Sequence, residues 1–321
     1  MNPATGPLLD RRQLLRLSLL GAAGTVLAGA GATALAAPAA AAARWPGHQP
    51  GRIYLGGSGQ LSAVQDQLGL ARTYYKWGDG TRETRNITAA HRAGRLPWIS
   101  FKPPSGASWS QIASGRYDAD LRARARRYAQ LGGPVVATFN HEPHTDVGHL
   151  GTSQDFARAW CRVHDVMRDE TGLRNVASVP ILGDWTFNPV NRRDSPEGYL
   201  SGGVLDRAHF LGIDLYQNRS GDGYEVRLGR ILGYLDARGR SDLMVGVGET
   251  GATDGYRDPS GAEWWTSSWD WAAARTSRIG AISYFSSLHN NNSGNNWLLT
   301  ESATKLAAFR RSLTSSTACR L

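Results

Sequence analysis

Eight short apolar runs, separated by polar turns and longer amphipathic segments, constrain the fold of this chain more than any other feature. Several runs are continuous rather than alternating, which is typical of parallel strands buried on both faces. The segments between them carry helix-capping residues at their starts or glycines at their ends. A strand followed by a helix, repeated about eight times, predicts a (β/α)8 TIM barrel. The runs are RIYLGG (52–57), ARTYYKW (71–77), LPWISFK (96–102), PVVATFN (134–140), VASVPIL (176–182), FLGIDLY (210–216), LMVGVGE (243–249) and IGAISYF (279–285).

A doubly wound sheet is the alternative α/β architecture, because the first run ends in a glycine-rich turn, GGSG (56–59). A dinucleotide-binding turn needs glycines at the GxGxxG spacing and an acidic residue about 20 residues further on. Neither is present after this run. The sequence therefore favours the barrel and predicts no cofactor.

The amino terminus has the pattern of an export signal. A twin-arginine motif, DRRQLL (10–15), precedes a Gly/Ala-rich apolar stretch at 17–36, which ends in the small-x-small sequence ALA. A membrane anchor is the alternative, but the many glycines and Pro38 argue against it. We therefore predict that 1–43 is a twin-arginine signal peptide with its cleavage region, that 44–321 is the barrel, and that the protein is secreted.

The formal net charge of +9 raises the question of nucleic-acid binding. No dense Lys/Arg run with interleaved aromatic residues is present, so the sequence predicts no nucleic-acid partner. Two cysteines, Cys161 and Cys319, would be allowed to form a disulfide in an exported protein, and the sequence leaves their pairing open.

Two glutamates come directly after apolar runs. Glu142 follows the fourth run, together with Asn140 and His141, and Glu249 ends the seventh run. In a barrel the functional groups lie at the carboxyl ends of the strands, and a carboxylate leaving a core strand is costly unless it is hydrogen-bonded or functional. Because the fourth and seventh strands face each other across the barrel mouth, the sequence predicts one site that contains both acids.

The cluster of histidines and acids after the fourth run also resembles a metal site. A zinc-protease site requires HExxH on a helix, whereas this chain has HExH with Pro143 inside it. The sequence therefore predicts no metal.

Three motifs carry a resemblance to a known family: NHEPH (140–144), GIDLYQ (212–217) and VGVGETG (245–251). They are similar to clan A retaining glycoside hydrolases, most of all to family 26, the β-mannanases and related β-glycanases. The sequence departs from that family where Pro and His follow the first glutamate, and where the eighth run ends in YFSS (284–287) without a Trp.

The resemblance implies a role for each of four residues. Glu142 would be the acid/base and Glu249 the nucleophile, with the two carboxyls about 5–5.5 Å apart as retention requires. Tyr216 would orient Glu249 through a hydrogen bond, and His141 would contact Glu142 or a sugar hydroxyl. Partial burial and the negative charge of Glu249 would favour the protonated form of Glu142.

The predicted function is a secreted retaining β-glycoside hydrolase, monomeric and without cofactor, that binds a polysaccharide or oligosaccharide. Mannan is the first substrate expected, with β-1,3-xylan, mixed-linkage glucan and a microbial exopolysaccharide left open. A catalytically inactive, secreted carbohydrate-binding barrel is the alternative. Loop aromatic rings can stack on sugars, and polar groups at strand ends can bind hydroxyls. The predicted substrate-binding residues are Asn140, Trp77, Trp185, Lys102 and Trp297, with the Asn-rich loop 289–297 beside them.

Overall fold

One parallel sheet, closed into a barrel, organises the protein. The computed structural model describes residues 44–288 and 295–321, and the sheet order within them is β5-β4-β3-β2-β1-β9-β8-β7-β6, with β10 added beside β1. The strands are β1 (Ile53–Gly59), β2 (Leu70–Tyr75), β3 (Leu96–Phe101), β4 (Val135–Phe139), β5 (Val176–Ser178), β6 (Ile181–Gly183), β7 (Leu211–Asp214), β8 (Val245–Thr250), β9 (Ile279–Ser286) and β10 (Ala318–Cys319).

The fifth barrel strand is broken into two pieces, and this break closes the barrel. β5 pairs with β4, and β6 pairs with β7. Between the two pieces, the Val179 N–H donates to the Ala137 carbonyl at 3.0 Å, and the Pro180 carbonyl accepts from the Gly212 N–H at 2.8 Å. Proline has no N–H to donate to a ladder, so the chain changes partners at this point. The sixth, seventh and eighth runs of the sequence therefore correspond to β7, β8 and β9.

Helices cover the outside of the sheet, and several begin at residues that cap a helix amino terminus. The amino termini of α2, α4 and α8 carry capping boxes in which Ser108, Thr152 and Ser260 accept from the backbone three residues later. The helices are α1 (Gly80–Arg92), α2 (Trp109–Ala113), α3 (Asp118–Leu131), α4 (Ser153–Asp165), α5 (Pro196–Tyr199), α6 (Val204–Arg207), α7 (Tyr224–Asp236), α8 (Gly261–Ala273) and α9 (Ala303–Leu313).

Alternate strand residues pack on opposite faces of the sheet. In β1, Tyr54 belongs to a cluster with Trp98, Phe210 and Trp45 inside the barrel, whereas its neighbour Leu55 belongs to the larger cluster beneath the helices. The Trp45 ring lies 5.1 Å from the Phe210 ring. The barrel interior is therefore a packed core below the mouth, and the carboxyl ends of the strands lie above this core.

The structure confirms the predicted (β/α)8 class. It leaves Cys161 and Cys319 as free thiols. The tryptophan pair at 264–265 is buried in α8. No helix among the described residues is long and apolar enough to span a bilayer. The predicted signal segment 1–43 and residues 289–294 of the Asn-rich loop lie outside the described residues.

Candidate active site

A cleft of about 920 Å³ opens at the carboxyl ends of the strands. Its floor is formed by residues that follow β4, β7 and β8, and its walls by the loops after β2, β3, β6 and β9. The predicted residues that line it are Glu142, Glu249, Tyr216, His141, Lys102, Trp185 and Trp297.

Glu142 is held at the mouth by an unusual backbone turn. Its φ is 50° and ψ 54°, and Asn140, two residues earlier, has a φ of 47°. Non-glycine residues rarely adopt this left-handed region, and such conformations are often found at functional sites. The Glu142 N–H donates to the Ile181 carbonyl at 3.0 Å, and Pro143 then begins a short 3-10 turn. The turn is thereby tied to β6, which fixes the position of the Glu142 side chain.

The surroundings of Glu142 favour its protonated form. Burial, and after it the negative charge of Glu249, raise the pKa of Glu142 from 4.5 to about 7. Lys102 and Arg72 act in the opposite direction but do not cancel this effect. A carboxyl group with such a pKa holds a proton near neutral pH and is able to donate it.

Glu249 lines the same cleft, at the end of β8, with 8% of its surface exposed. The Tyr216 hydroxyl donates to its Oε2 at 2.6 Å, and the Arg72 guanidinium lies 3.9 Å from its Oε1. Both groups stabilise negative charge on this carboxyl. His141 Nε2 lies 4.0 Å from the same Oε1, and burial, followed by the charge of Arg72, lowers the pKa of His141 well below its usual value. His141 is therefore a neutral neighbour of Glu249.

Arg72 was not predicted from the sequence. Arg72 belongs to β2, and its side chain is buried. The guanidinium donates from Nε to the Gly248 carbonyl at 3.2 Å and lies 4.5 Å from the centre of the Tyr74 ring. A buried cation is costly unless it is paired. An arginine within the apolar run ARTYYKW was the signal that could have revealed a buried acidic partner.

Asp214 is a third acid in this region and ends β7 directly beside Glu249 in the sheet. Burial, and then the charges of Glu249 and Glu142, raise its pKa well above the usual range. A side chain at Gly248 would place its Cβ 2.6 Å from Asp214 Oδ1, so glycine at that position leaves room for this carboxyl. A protonated Asp214 adds a polar group beside Glu249 without a second negative charge.

Lys102 and Asn140 are brought together by Asp146, an acid of the cluster that follows the fourth run. Asp146 Oδ2 accepts from Lys102 Nζ at 3.1 Å and from Asn140 Nδ2 at 2.9 Å. Lys102 lines the cleft, whereas Asn140 has no exposed surface. Asn140 therefore lies behind the cleft wall, where its amide holds Asp146, and its contact with a sugar stays a prediction.

Trp77 does not line the cleft. Its ring packs against Phe101 and Tyr117 at 5.9 and 5.8 Å, and its indole N–H donates to Asp120 of α3 at 3.1 Å. The chain turns outward after β2, so this ring lies between the sheet and α3 instead of in the cleft. The predicted sugar contact of Trp77 stays a prediction.

The other two tryptophans remain in the cleft with different exposures. Trp185 is 55% exposed on the wall after β6, whereas Trp297 is largely buried and lies 5.2 Å from the Tyr216 ring. Behind Trp185, Asp184 accepts two hydrogen bonds from the Arg227 guanidinium, at 2.7 and 2.5 Å. The wall that carries Trp185 is thereby attached to α7.

The sequence matches no known family model and no curated protein. Solved structures are nevertheless similar. The catalytic domain of a family 26 endo-β-1,4-mannanase from Bacillus sp. JAMB-750 has a TM-score of 0.57 and 16% identity, over 84% of this chain and 88% of that one. A fungal β-1,4-galactanase gives 0.58 and 16%, over 77% and 89%. A β-mannanase from a symbiotic protist of the termite Reticulitermes speratus, complexed with gluco-manno-oligosaccharide, gives 0.53 and 13%, over 86% and 90%. This chain thus shares the fold of these β-mannanases and of the β-1,4-galactanase.

Proposed function

We propose that this protein is a retaining β-glycoside hydrolase that cleaves a β-linked polysaccharide by double displacement. The observation that carries the proposal is the contrast between two carboxyls in one cleft. Glu142 has its pKa raised to about 7, whereas Glu249 accepts a hydrogen bond from Tyr216 and lies 3.9 Å from Arg72. One acid is thus suited to donate a proton and the other to carry negative charge.

In the first step, a carboxylate oxygen of Glu249 attacks the anomeric carbon while the glycosidic C–O bond breaks. The proton of Glu142 goes to the departing oxygen, and a glycosyl ester forms on Glu249. Loss of the charge on Glu249 removes one cause of the high pKa of Glu142. The deprotonated Glu142 then takes a proton from water, whose oxygen attacks the anomeric carbon and releases Glu249.

Mannan is the first substrate that we propose. Of the three structural neighbours described above, two are named as β-mannanases and one as a β-1,4-galactanase. A cleft of about 920 Å³ has room for several sugar units, and the exposed Trp185 ring offers a stacking surface on one wall. We also propose export through the twin-arginine motif at 10–15 and action as a monomer.

The test is a panel of soluble β-glycans, with reducing ends and product masses measured for three proteins. The wild type should hydrolyse at least one glycan, and Glu249→Ala should reduce that rate to background. Glu225→Ala is the matched control, because Glu225 is an exposed glutamate on α7 that does not line the cleft. Binding without hydrolysis by the wild type would instead identify a carbohydrate-binding barrel.

A further inference from the structure

A second groove lies at the opposite end of the barrel. It has a volume of about 670 Å³ and is lined by residues that precede β7 and β8, together with the end of α4 and the turn after it. His209 in this groove is five residues before Asp214, a separation of roughly 16 Å along an extended strand. The groove is therefore independent of the cleft. Its basic residues are Arg44, Arg168, Arg207, Arg240, His164 and His209.

Two of these arginines are neutralised by carboxylates. Arg207 donates to Asp165 at 2.7 Å, and Arg240 lies 3.2 Å from Asp206 and 3.0 Å from Asp242. Their positive charges are thus compensated within the protein.

The other two arginines, Arg44 and Arg168, form no ion pair with a carboxylate of the described residues. The Arg44 guanidinium donates to the carbonyls of Asp242 and Ser277, at 2.8 and 3.1 Å. Neither Arg44 nor Arg168 has a carboxylate within 4.0 Å in the described parts of the chain. Burial, and then the charge of Arg174, lower the pKa of Arg168, which indicates that its environment disfavours an added positive charge. The groove therefore contains two arginines without an ion pair, although the carboxylate of Asp169 also lines it.

The contact between Arg168 and His209 presents a conflict of hydrogen-bond donors. His209 Nδ1 accepts from the Ser178 backbone N–H at 3.0 Å, and Arg168 Nη1 points at His209 Nε2 from 2.9 Å. A neutral imidazole has only one acceptor nitrogen, and its other nitrogen carries a proton. Because Nδ1 is the acceptor, Nε2 bears the hydrogen and faces the guanidinium N–H. Two donors are thus directed at each other.

A single ligand resolves this conflict if it accepts hydrogen bonds from both groups. We propose that the groove binds a small oxyanion of the phosphate type, which accepts from Arg168 and from the His209 Nε2–H and is further attracted by Arg44. Arginine forks match the geometry of such oxygens. The turn that presents Arg168 is π-helical, from Val166 to Glu170, and wide turns of this kind are frequent at functional sites.

A metal cation fits the same groove less well. His164, Asp165 and Asp169 could bring one ligand atom each within 4.8 Å of one another. However, Asp165 is already engaged by both His164 and Arg207, at 3.2 and 2.7 Å. The two arginines without an ion pair would also repel a cation. The two N–H donors at Arg168 and His209 therefore favour an anion over a cation in this groove.

The test measures thermal unfolding and calorimetric binding with increasing inorganic phosphate, against sodium chloride at matched ionic strength. Phosphate should raise the midpoint of unfolding of the wild type in a saturable way. Arg168→Gln should weaken phosphate binding at least ten-fold, and Arg168→Lys, which keeps the charge but loses the fork, should lie in between. Arg126→Gln, at an exposed arginine of α3, is the matched control and should behave as the wild type does.

Glycerol phosphate in place of inorganic phosphate distinguishes two sources of the same chemistry. Tighter binding of the ester would indicate a phosphorylated ligand, whereas tighter binding of the free ion would indicate inorganic phosphate. The proposal is overturned if the wild type shows no saturable response to either compound, or if Arg168→Gln responds as the wild type does. Circular dichroism of Arg168→Lys without phosphate verifies that the variant is folded. Hydrolysis in the distant cleft should be unchanged, so the outcome does not depend on the proposed function.

Discussion

Replacement of Glu142 by Gln removes an ionisable group whose charged form is disfavoured by the fold. In the folded protein the pKa of Glu142 is raised to about 7, from 4.5 for an unperturbed glutamate. Between these two pH values the folded state retains a proton that the unfolded state releases. The free energy of unfolding of the wild type therefore falls as pH rises from about 4.5 through about 7.

The size of this effect follows from the shift in pKa. One pKa unit corresponds to about 1.4 kcal/mol, so ionised Glu142 costs up to about 3 kcal/mol of stability above neutral pH. Glutamine has nearly the same shape and does not ionise. Glu142→Gln should therefore be as stable as the wild type near pH 4.5 and more stable by up to about 3 kcal/mol near pH 8. The same variant should lose hydrolysis of substrates with poor leaving groups, because it has no proton to donate.

Urea unfolding of the two proteins at several pH values measures this difference directly. Glu225→Gln serves as the matched control, because it makes the same chemical change at an exposed site and should give no pH-dependent gain. A constant difference between Glu142→Gln and the wild type from about pH 5 to about pH 8 would refute the reasoning. Such a result would mean that Glu142 titrates normally and is no general acid near neutral pH.

Three further predictions concern the cleft. The kcat/KM of the wild type should fall as pH rises through about 7, because general acid catalysis requires protonated Glu142. A flat pH profile of kcat/KM up to about pH 9 would contradict this prediction. Tyr216→Phe removes the 2.6 Å hydrogen bond to Glu249 and should lower kcat about 10- to 100-fold. This factor corresponds to about 1.5–3 kcal/mol for a hydrogen bond to a charged group. An unchanged kcat would show that the hydroxyl is dispensable. Trp185→Ala should raise KM about three- to ten-fold while leaving kcat nearly constant, whereas Val190→Ala, at a 68% exposed residue in the same loop region, should leave both unchanged. Equal effects of these two changes on KM would argue against stacking on Trp185.

The barrel could be predicted from the sequence because a continuous apolar run indicates a strand that is buried on both faces. Glu142 and Glu249 were predicted to share a site for a similar reason: parallel strands deliver the residues that follow them to one end of the sheet. The break at Val179 and Pro180 was not predicted, since an apolar run containing one proline does not show which neighbour each half pairs with.

Side-chain direction was harder to predict than position along the chain. Trp77 and Asn140 follow strands, as the true cleft residues do, yet one turns outward onto α3 and the other inward behind Asp146. Arg72 was overlooked because an isolated charge in a strand is read as an exposed edge residue unless its partner is known. In this chain the partner, Glu249, lies far away in sequence, and only the closed barrel brings the two within 3.9 Å.

The central claim, double displacement by Glu249 with Glu142 as acid/base, is tested most directly by proton NMR of a hydrolysis reaction in its first minutes. On whichever β-glycan the enzyme cleaves, the new reducing end should appear first as the β-anomer and convert to the equilibrium mixture only later. Initial appearance of the α-anomer would contradict the account, because it would require a water molecule between the two carboxyls and a single displacement.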